Sequence, residues 1–311
     1  MKAGILLSYK GIGANLLHLS YCHEIANKFG PVTIITLCKN LQPILSDDPL
    51  IKEVICLENY YKKVFDIFKL SKIFKKINLE NLFIYYPSMR YFIASKIAGI
   101  QNVYTYPFSK KNLHLVNAAK IFTEKNLKIE NCPTEAKLFV SPQKKEIVLK
   151  KINKNMKNII IGAGSSGPTT KCGELNYINL INKLNEKKNC FFYILCGPDE
   201  NDIAEKIING VTKKNCISLS NKTIKEIIPI ISVCNMYIGN DSFGHHVASQ
   251  CSIPSIIILL DTPRAYSDYS KNQFRILSDE ISIDDITHDS KISPNKINVD
   301  TVFNKAKIFL K

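Results

Sequence analysis

The sequence predicts an α/β protein built from two Rossmann-like halves, each with a parallel sheet covered by helices. Short apolar runs rich in Ile and Val alternate with amphipathic segments along all 311 residues, and this alternation is typical of stacked βαβ units. The strand candidates are almost continuously apolar, as expected of strands covered on both faces. A polar, lysine-rich run over residues 141–157 interrupts the alternation, which then starts afresh. Two domains are therefore predicted, over residues 1–150 and 151–311.

Five strands and four helices are predicted in each half. In the first half the strands cover residues 3–8, 32–37, 53–57, 81–85 and 102–106, and the helices cover 16–29, 60–77, 88–98 and 113–126. In the second half the strands cover residues 158–163, 190–196, 216–219, 236–239 and 254–260, and the helices cover 174–185, 201–209, 223–232 and 244–251. In such folds the ligand binds at the carboxyl ends of the strands, which for two facing halves means the cleft.

The composition describes a globular protein with a large core. It is 45% hydrophobic, too apolar for a disordered chain. Its longest apolar runs reach about eight residues, short of the roughly 20 that cross a bilayer, so no membrane span is predicted. The start of the chain reads as a first strand because no small-residue cleavage site follows it. The ten cysteines are scattered singly, which predicts reduced core residues of a cytoplasmic protein and no metal site.

The charge is strongly basic, with 42 Lys and Arg against 27 Asp and Glu. Only Arg90, Arg264 and Arg275 are arginines, and this lysine bias is also what an AT-rich genome produces on any solvated surface. The functional alternative is attraction to a polyanion. Proteins that bind nucleic acid concentrate arginine and interleave aromatic residues on one face, and this pattern is absent here. No nucleic-acid partner is predicted, and an anionic substrate or a membrane surface is favoured instead.

The first motif is a glycine turn directly after the first strand. Gly11 and Gly13 come before a helix whose free N–H groups could contact a ligand. The turn is not a complete dinucleotide fingerprint, because Leu16 stands where the third glycine would be. A plain strand-to-helix connector is the alternative.

The second and third motifs follow neighbouring strands of the second half. Small and hydroxylated residues, including Ser165 and Ser166, lead to Lys171; such a loop suits a diphosphate, although a surface loop remains the alternative. At the next strand tip, Asp199 and Glu200 are placed to hold a ribose hydroxyl pair. The same two acids could instead form the acidic first turn of a helix.

The fourth motif groups several polar residues at one strand tip. Asp241 and Ser242 follow a strand, a helix begins near Gly244, and His246 lies one turn further on. An anion could bind at that helix N-terminus. A lone histidine is more often structural, but this grouping favours a ligand site.

In this order the motifs resemble those of glycosyltransferase family 9, the lipopolysaccharide heptosyltransferases with the two-domain GT-B fold. The family's Asp-Thr/Ser-Gly-x-x-His stretch is similar to residues 241–246, and its Tyr-Gly-Lys-Asn-Gln region to residues 269–273. Its Gly-x-Pro-x-Glu segment is similar to the stretch that ends at Glu200, and its Thr-Thr and Lys loop to Ser165, Ser166 and Lys171. The resemblance covers most of the chain and is more secure in the second half.

The resemblance implies an inverting, metal-independent glycosyltransferase without a cofactor. Its donor is a nucleotide sugar, typically ADP-heptose, and its acceptor is an anionic, lipid-linked glycan. The implied donor-binding residues are Ser165, Ser166 and Lys171 for the diphosphate, Glu200 for the ribose, and Asp241, Ser242, Phe243 and His246 for the phosphate and sugar. The acceptor side would include the loop at Gly11 and Gly13. The expected location is the cytoplasm, at the inner face of the cytoplasmic membrane.

Two residues depart from the family pattern. Ala14 stands where the family has the aspartate regarded as the general base, and alanine cannot accept a proton. His18, one turn later, could substitute or could be a plain core histidine, so the catalytic residue stays unassigned. Phe243 stands where the family often has glycine and could reshape the sugar pocket. Two further readings remain open: a catalytically silent homologue that binds nucleotide sugar or glycan, and a sugar-nucleotide epimerase or dinucleotide oxidoreductase.

Overall fold

The structure is a computed structural model that describes residues 2–57, 61, 63–106, 115–165 and 171–310. The chain divides into two compact units, Met1–Ala136 and Lys137–Lys311. The division lies earlier than the predicted boundary at residue 150, because the helix Pro142–Leu149 (α7) packs against the helix Ile224–Val233 (α10) of the second unit. The polar run marks a connection in the sequence, but it does not reveal which unit its helix packs on.

The first unit is a parallel five-stranded sheet with the strand order β3-β2-β1-β4-β5. The strands are β1 (Ala3–Leu7), β2 (Val32–Thr36), β3 (Ile51–Cys56), β4 (Asn81–Ile84) and β5 (Asn102–Thr105). The helices are α1 (Ile12–Leu16), α2 (Leu19–Phe29), α3 (Leu41–Leu45), α4 (Asp66–Ile77), α5 (Met89–Ile97) and α6 (Leu115–Leu127). All five predicted strands are present.

The predicted helix over residues 16–29 is two helices in the structure. The N–H of His18 donates to the carbonyl of Asn15, three residues back, and this tighter turn separates α1 from α2. Helix α3 was not predicted, because five residues around Pro43 are too short to show a helical period. The predicted helix over residues 60–77 begins at Asp66, and residues 58–60 and 62 lie outside the described part of the chain.

The second unit is a parallel six-stranded sheet with the order β11-β10-β9-β6-β7-β8. The strands are β6 (Lys157–Gly162), β7 (Cys190–Leu195), β8 (Cys216–Ser218), β9 (Met236–Asn240), β10 (Ser255–Ile258) and β11 (Gln273–Ile276). Besides α7 and α10, the helices are α8 (Glu174–Lys187), α9 (Asn201–Gly210), α11 (Phe243–Gln250) and α12 (Val299–Phe309). Strand β11 was not predicted because its four residues include Gln and Arg, and pairing with β10 defines it.

The cores are apolar on both faces of each sheet, as the sequence predicts. Strand residues such as Ile5, Ile34 and Ile160 are fully buried. The ten cysteines are free thiols and most are buried, which confirms their reading as reduced core residues. Within the described residues, every helix is too short or too polar to span a bilayer.

Candidate functional site

Three loops meet at the carboxyl edge of the second sheet. Strands β9, β6 and β7 are direct neighbours, so the segments that follow them lie side by side at one edge. These segments carry the second, third and fourth sequence motifs. The parallel order of the strands therefore brings together residues that are up to about 80 positions apart in the sequence.

Glu200 joins two of these loops. Its carboxylate accepts hydrogen bonds from the backbone N–H of Gly197 at 3.1 Å and of Ser165 at 3.2 Å, and the ammonium of Lys171 pairs with it. Burial alone would raise the pKa of Glu200, but the hydrogen bonds from Lys171 and the two backbone groups outweigh burial and lower it. Glu200 is therefore an ionised residue that holds both loops. Ser166, the other predicted hydroxyl, lies outside the described residues.

The close contact between these loops requires glycine at position 164. A Cβ on Gly164 would lie 2.8 Å from the Cα of Cys196 and would overlap the Glu200 carboxylate. Because a backbone atom cannot move away as a side chain can, residue 164 must lack a side chain. This glycine is thus a structural requirement of the site.

Asn240, which the sequence analysis did not single out, connects the end of β9 to the segment that follows β6. It is fully buried at the end of β9. Its amide donates to the carbonyl of Ala163 at 2.8 Å, and its oxygen accepts from the N–H of Cys172 at 3.0 Å and the hydroxyl of Tyr177 at 2.8 Å. A polar residue at the last position of an otherwise apolar strand was the available signal.

Asp241 faces two histidines of α11. Its Oδ1 lies 3.0 Å from Nδ1 of His245 and 3.7 Å from Nε2 of His246. Nδ1 of His245 accepts from the N–H of Ser242 at 3.3 Å, and its Nε2 lies 3.2 Å from the Tyr266 carbonyl, so the proton belongs on Nε2. In that tautomer His245 donates nothing to Asp241. Among the described residues Oδ1 of Asp241 is buried and has no hydrogen-bond donor, although the side chain as a whole is 11% exposed.

His246 is a neutral, fixed imidazole. Its Nδ1 lies 2.7 Å from the hydroxyl of Tyr269, whose ring stacks on it. Burial, reinforced by the neighbouring His245, holds the pKa of His246 well below its usual value of 6.5. At neutral pH it therefore adds hydrogen-bonding capacity and no charge.

Asp241, His245 and His246 also place three potential metal ligands within 4.8 Å of one another. The lone pair of His245 Nδ1 already accepts the Ser242 N–H. The cluster also stands at the positive end of α11, where the helix dipole favours anions over cations. The helix start at Phe243 thus suits an anionic group, and the hydrogen bond to Nδ1 of His245 leaves this cluster short of one ligand for a divalent cation.

The turn after β1, at the carboxyl edge of the first sheet, is built differently from the loops of the second unit. Gly11 has φ −71° and ψ 138°, and a Cβ added to it would meet nothing within 4 Å. The turn is held instead by Asn15, whose amide donates to the carbonyls of Tyr9 at 3.1 Å and Gly11 at 2.7 Å. Gly11 is therefore not required by the backbone, and it leaves open space above α1. Gly13 and Ala14 lie in α1, where Ala14 is half-buried.

His18 lies in the core and not at this edge. It is completely buried, its Nδ1 bonds to the Ala14 carbonyl at 2.7 Å, and the ring of Tyr9 stacks on it at 5.1 Å. Burial lowers its pKa to about 4. A general base must touch the proton that it removes, and the buried ring is not accessible to a substrate hydroxyl in this structure. The geometry favours the core histidine over the substitute base.

The sequence profile of glycosyltransferase family 9 (heptosyltransferase) matches residues 88–291, about two thirds of the chain. No curated protein matches the chain in sequence.

Several solved structures share the fold over nearly the whole chain. The E. coli ADP-heptose lipopolysaccharide heptosyltransferase II is 15% identical, with a TM-score of 0.75 over 100% of this chain and 98% of that one. A family 9 glycosyltransferase from Veillonella parvula is 13% identical, with a TM-score of 0.78 over 99% and 97%. E. coli heptosyltransferase WaaC, solved with ADP, is 12% identical, with a TM-score of 0.72 over 99% and 100%. These matches confirm the predicted GT-B class of two Rossmann-like parallel sheets.

Proposed function

The chain belongs to glycosyltransferase family 9, and from this premise we propose a specific reaction. The protein moves a heptose-like sugar from a nucleotide-sugar donor, ADP-heptose, to an anionic glycan or glycolipid acceptor of the lipopolysaccharide type. Transfer proceeds with inversion and without a metal or cofactor. The protein acts in the cytoplasm, at the inner face of the cytoplasmic membrane.

The observation that carries the donor assignment is the cluster around Glu200. Glu200 is an ionised carboxylate at a strand tip, and its Oε2 keeps one acceptor position for a ribose hydroxyl. The Lys171 ammonium, which pairs with Oε1 in this structure, would turn to a phosphate of the donor and free a position for the second hydroxyl. The related WaaC structure contains ADP. Ser165 and Ser166 would complete the diphosphate side of this subsite.

The start of α11 supplies the sugar and phosphate end. The N–H groups of its first turn, which begins at Phe243, favour a negative group. The Asp241 side chain is 11% exposed beside this helix start, so the exposed part of its carboxylate would accept a hydroxyl of the transferred sugar. His246 lies next to this carboxylate, with its Nε2 3.7 Å from Oδ1 of Asp241. Because its ring is neutral, it adds no charge near the phosphate.

These groups would accelerate transfer by stabilising the departing nucleoside diphosphate. Charge grows on the leaving phosphate as the glycosidic bond breaks, and preorganised N–H groups and Lys171 stabilise that charge more than the ground state. Glu200 and Asn240 hold the surrounding loops, so these groups would need little rearrangement as the charge develops.

The acceptor side is assigned to the first unit. Exposed Tyr86 and half-buried Tyr9 stand beside the open space over Gly11. Aromatic rings combined with polar tips suit a sugar ring with its hydroxyls. The excess of lysine would attract an anionic acceptor.

Titration calorimetry with ADP, UDP, GDP and CMP sugars tests the donor assignment. We expect saturable binding of one donor class, no measurable binding by Asp241→Ala, and about tenfold weaker binding by Lys171→Ala. Asp199→Ala, at an exposed neighbour of Glu200, is the matched control and should bind as the wild type does. An unchanged affinity in both site variants would refute the donor site.

A second candidate is favoured by the acceptor edge: a homologue that binds nucleotide sugar but does not transfer it. Ala14 cannot act as a base, and His18 is buried. The test is to incubate the wild-type protein with donor and acceptor glycans and to measure the nucleotide released. Formation of the transfer product would eliminate this candidate.

A further inference from the structure

Two helices of the first unit expose an unusual share of the apolar surface. Among the described residues, Phe65 is the most exposed large hydrophobic side chain at 79%, and Val64 follows at 75%. Phe68 on α4 and Met89 on α5 are 60% and 51% exposed. Ile93 and Ile97 continue the row along α5. Val64 and Phe65 directly precede α4. We call the surface made by these two residues, by α4 up to Lys76 and by residues 89–97 of α5 the α4/α5 face.

This exposure is not a failure to bury a core, because both helices already have a buried face. Leu70 and Phe74 of α4 and Tyr91 and Ala94 of α5 pack in one apolar cluster with strand residues such as Leu82. On α4, Phe65 and Phe68 lie on the side opposite Leu70, given the 100° rotation per residue of a helix. Helix α4 is therefore apolar on two opposite sides.

Lysines share the exposed side with these aromatic rings. Lys69, Lys72 and Lys76 follow Phe65 and Phe68 at helical spacings of three and four residues, and all are exposed. On α5, exposed Arg90 and Lys96 flank the row of Met89, Ile93 and Ile97.

Little acidic charge offsets this basic surface. The span 63–98 contains seven Lys or Arg residues and two acids. One acid, Asp66, is the first residue of α4; its carboxylate accepts the N–H of Lys63 at 2.8 Å and pairs with Lys69 at 3.6 Å, and its side chain is only 15% exposed. The α4/α5 face is thus apolar and positively charged at once.

The density of basic charge distinguishes between possible occupants. The centres of protein interfaces are depleted in charged residues, whereas this face places basic side chains among its exposed apolar ones. Surfaces that bind at a bilayer interface combine Phe and Leu with Lys and Arg, because the rings enter the headgroup region while the charges meet anionic lipid. Each basic residue near an anionic bilayer contributes about 1 kcal/mol.

We propose that the α4/α5 face docks the protein on a bilayer that contains anionic phospholipid. The argument uses only exposure, packing and charge, so it does not depend on the proposed sugar transfer. Phe65 and Phe68 enter the interface, and the lysines of α4 contact lipid phosphates.

Co-sedimentation with vesicles tests the proposal, using phosphatidylcholine alone or mixed with phosphatidylglycerol. We expect the full-length protein to bind the mixed vesicles, to bind phosphatidylcholine far more weakly, and to be released by salt. Absence of binding to the mixed vesicles would overturn the proposal.

Two double variants locate the surface. Phe65→Ser with Phe68→Ser, and Lys72→Gln with Lys75→Gln, should each reduce partitioning by about tenfold. Matched controls are Ile121→Ser, 60% exposed on α6, and Lys187→Gln with Lys188→Gln at the exposed end of α8; these should partition as the wild type does. Equal losses in the controls and the test variants would refute this surface.

Two further measurements, the melting temperature and the affinity for nucleotide sugar, distinguish a loss of the docking surface from misfolding and from a failure of the proposed function. Each variant should keep the wild-type melting temperature, since the substituted side chains are exposed, and its affinity for nucleotide sugar. A variant that keeps vesicle binding but loses a partner protein in a pull-down would assign the α4/α5 face to protein recognition and overturn the lipid proposal. Failure of donor binding with intact vesicle binding would count against the proposed function alone.

Discussion

The carboxyl edges of the two sheets have opposite chemistry. In the second unit the edge is a hydrogen-bonded network of charged and polar groups around Glu200, Asn240 and Asp241. In the first unit the same position holds the rings of Tyr9 and Tyr86, and Tyr9 stacks on the buried ring of His18. The same βαβ architecture thus carries a charged and polar network in one unit and an aromatic cluster in the other. In the proposed function the first of these edges binds the donor, whereas at the other edge Ala14 has no basic group and His18 is buried.

The largest expected difference concerns pH and His18. The pKa of His18 is about 4 when folded and 6.5 when exposed, so the unfolded chain takes up the proton first. Stability is therefore unaffected above pH 6.5 and falls as the pH drops from about 6.5 to 4, by roughly 3 kcal/mol for this residue. Urea unfolding should show that His18→Phe loses that much less stability over this range.

The exposed His288 provides the control for this experiment. His288→Asn should leave the pH dependence of the wild type unchanged. If His18→Phe and the wild type lose stability in parallel, then His18 is not a neutral core residue and its role as a base reopens.

The next effect compares the two glycine turns. Gly164→Ala places a Cβ against the backbone of Cys196 and the Glu200 carboxylate, which should cost about 2 kcal/mol of stability and most of the donor affinity. Gly11→Ala meets open space at an ordinary φ, so stability should stay unchanged or rise by up to roughly 1 kcal/mol. Thermal unfolding and donor titration check both. Equal losses in the two variants would mean that the edges are built alike.

The smallest expected effect concerns Ala14. It tests whether a general base is the only group that the carboxyl edge of the first sheet lacks for transfer. Ala14→Asp places a carboxylate in the first turn of α1, where the helix dipole favours it. If transfer is limited by proton removal from the acceptor, turnover should rise by about tenfold or more. Ala14→Asn, of the same shape and without basicity, is the control. Equal turnover in the two variants would show that another residue removes the proton.

Much of the fold was predictable because a buried strand needs a continuous run of apolar residues, and such a run is visible in a short stretch of sequence. The apolar runs at Ile159–Ile161 and Phe192–Leu195 stand out in the sequence because strands covered on both faces need continuous hydrophobicity. The elements that were missed, such as α3 and β11, are short, and their structure depends on neighbours that are distant in sequence.

Some residues of the candidate site were likewise predictable from the sequence, and others were found only in the structure. The motifs around Glu200, Asp241 and His246 were recognisable because ligand-binding residues cluster just after strands. Asn240 escaped notice because its importance lies in three contacts, to Ala163, Cys172 and Tyr177, that no linear pattern displays.

The sequence alone determined the two parallel-sheet halves, the family, and the loops that carry the donor-site candidates, because hydrophobic period and motif order are local properties. The tertiary structure decided that His18 is a buried neutral ring, that Gly164 is obligatory while Gly11 is not, and that α4 and α5 keep an apolar, basic side exposed. Burial, close approach and the surroundings of a charge are set by residues far apart in the chain, and these surroundings determine both pKa and accessibility.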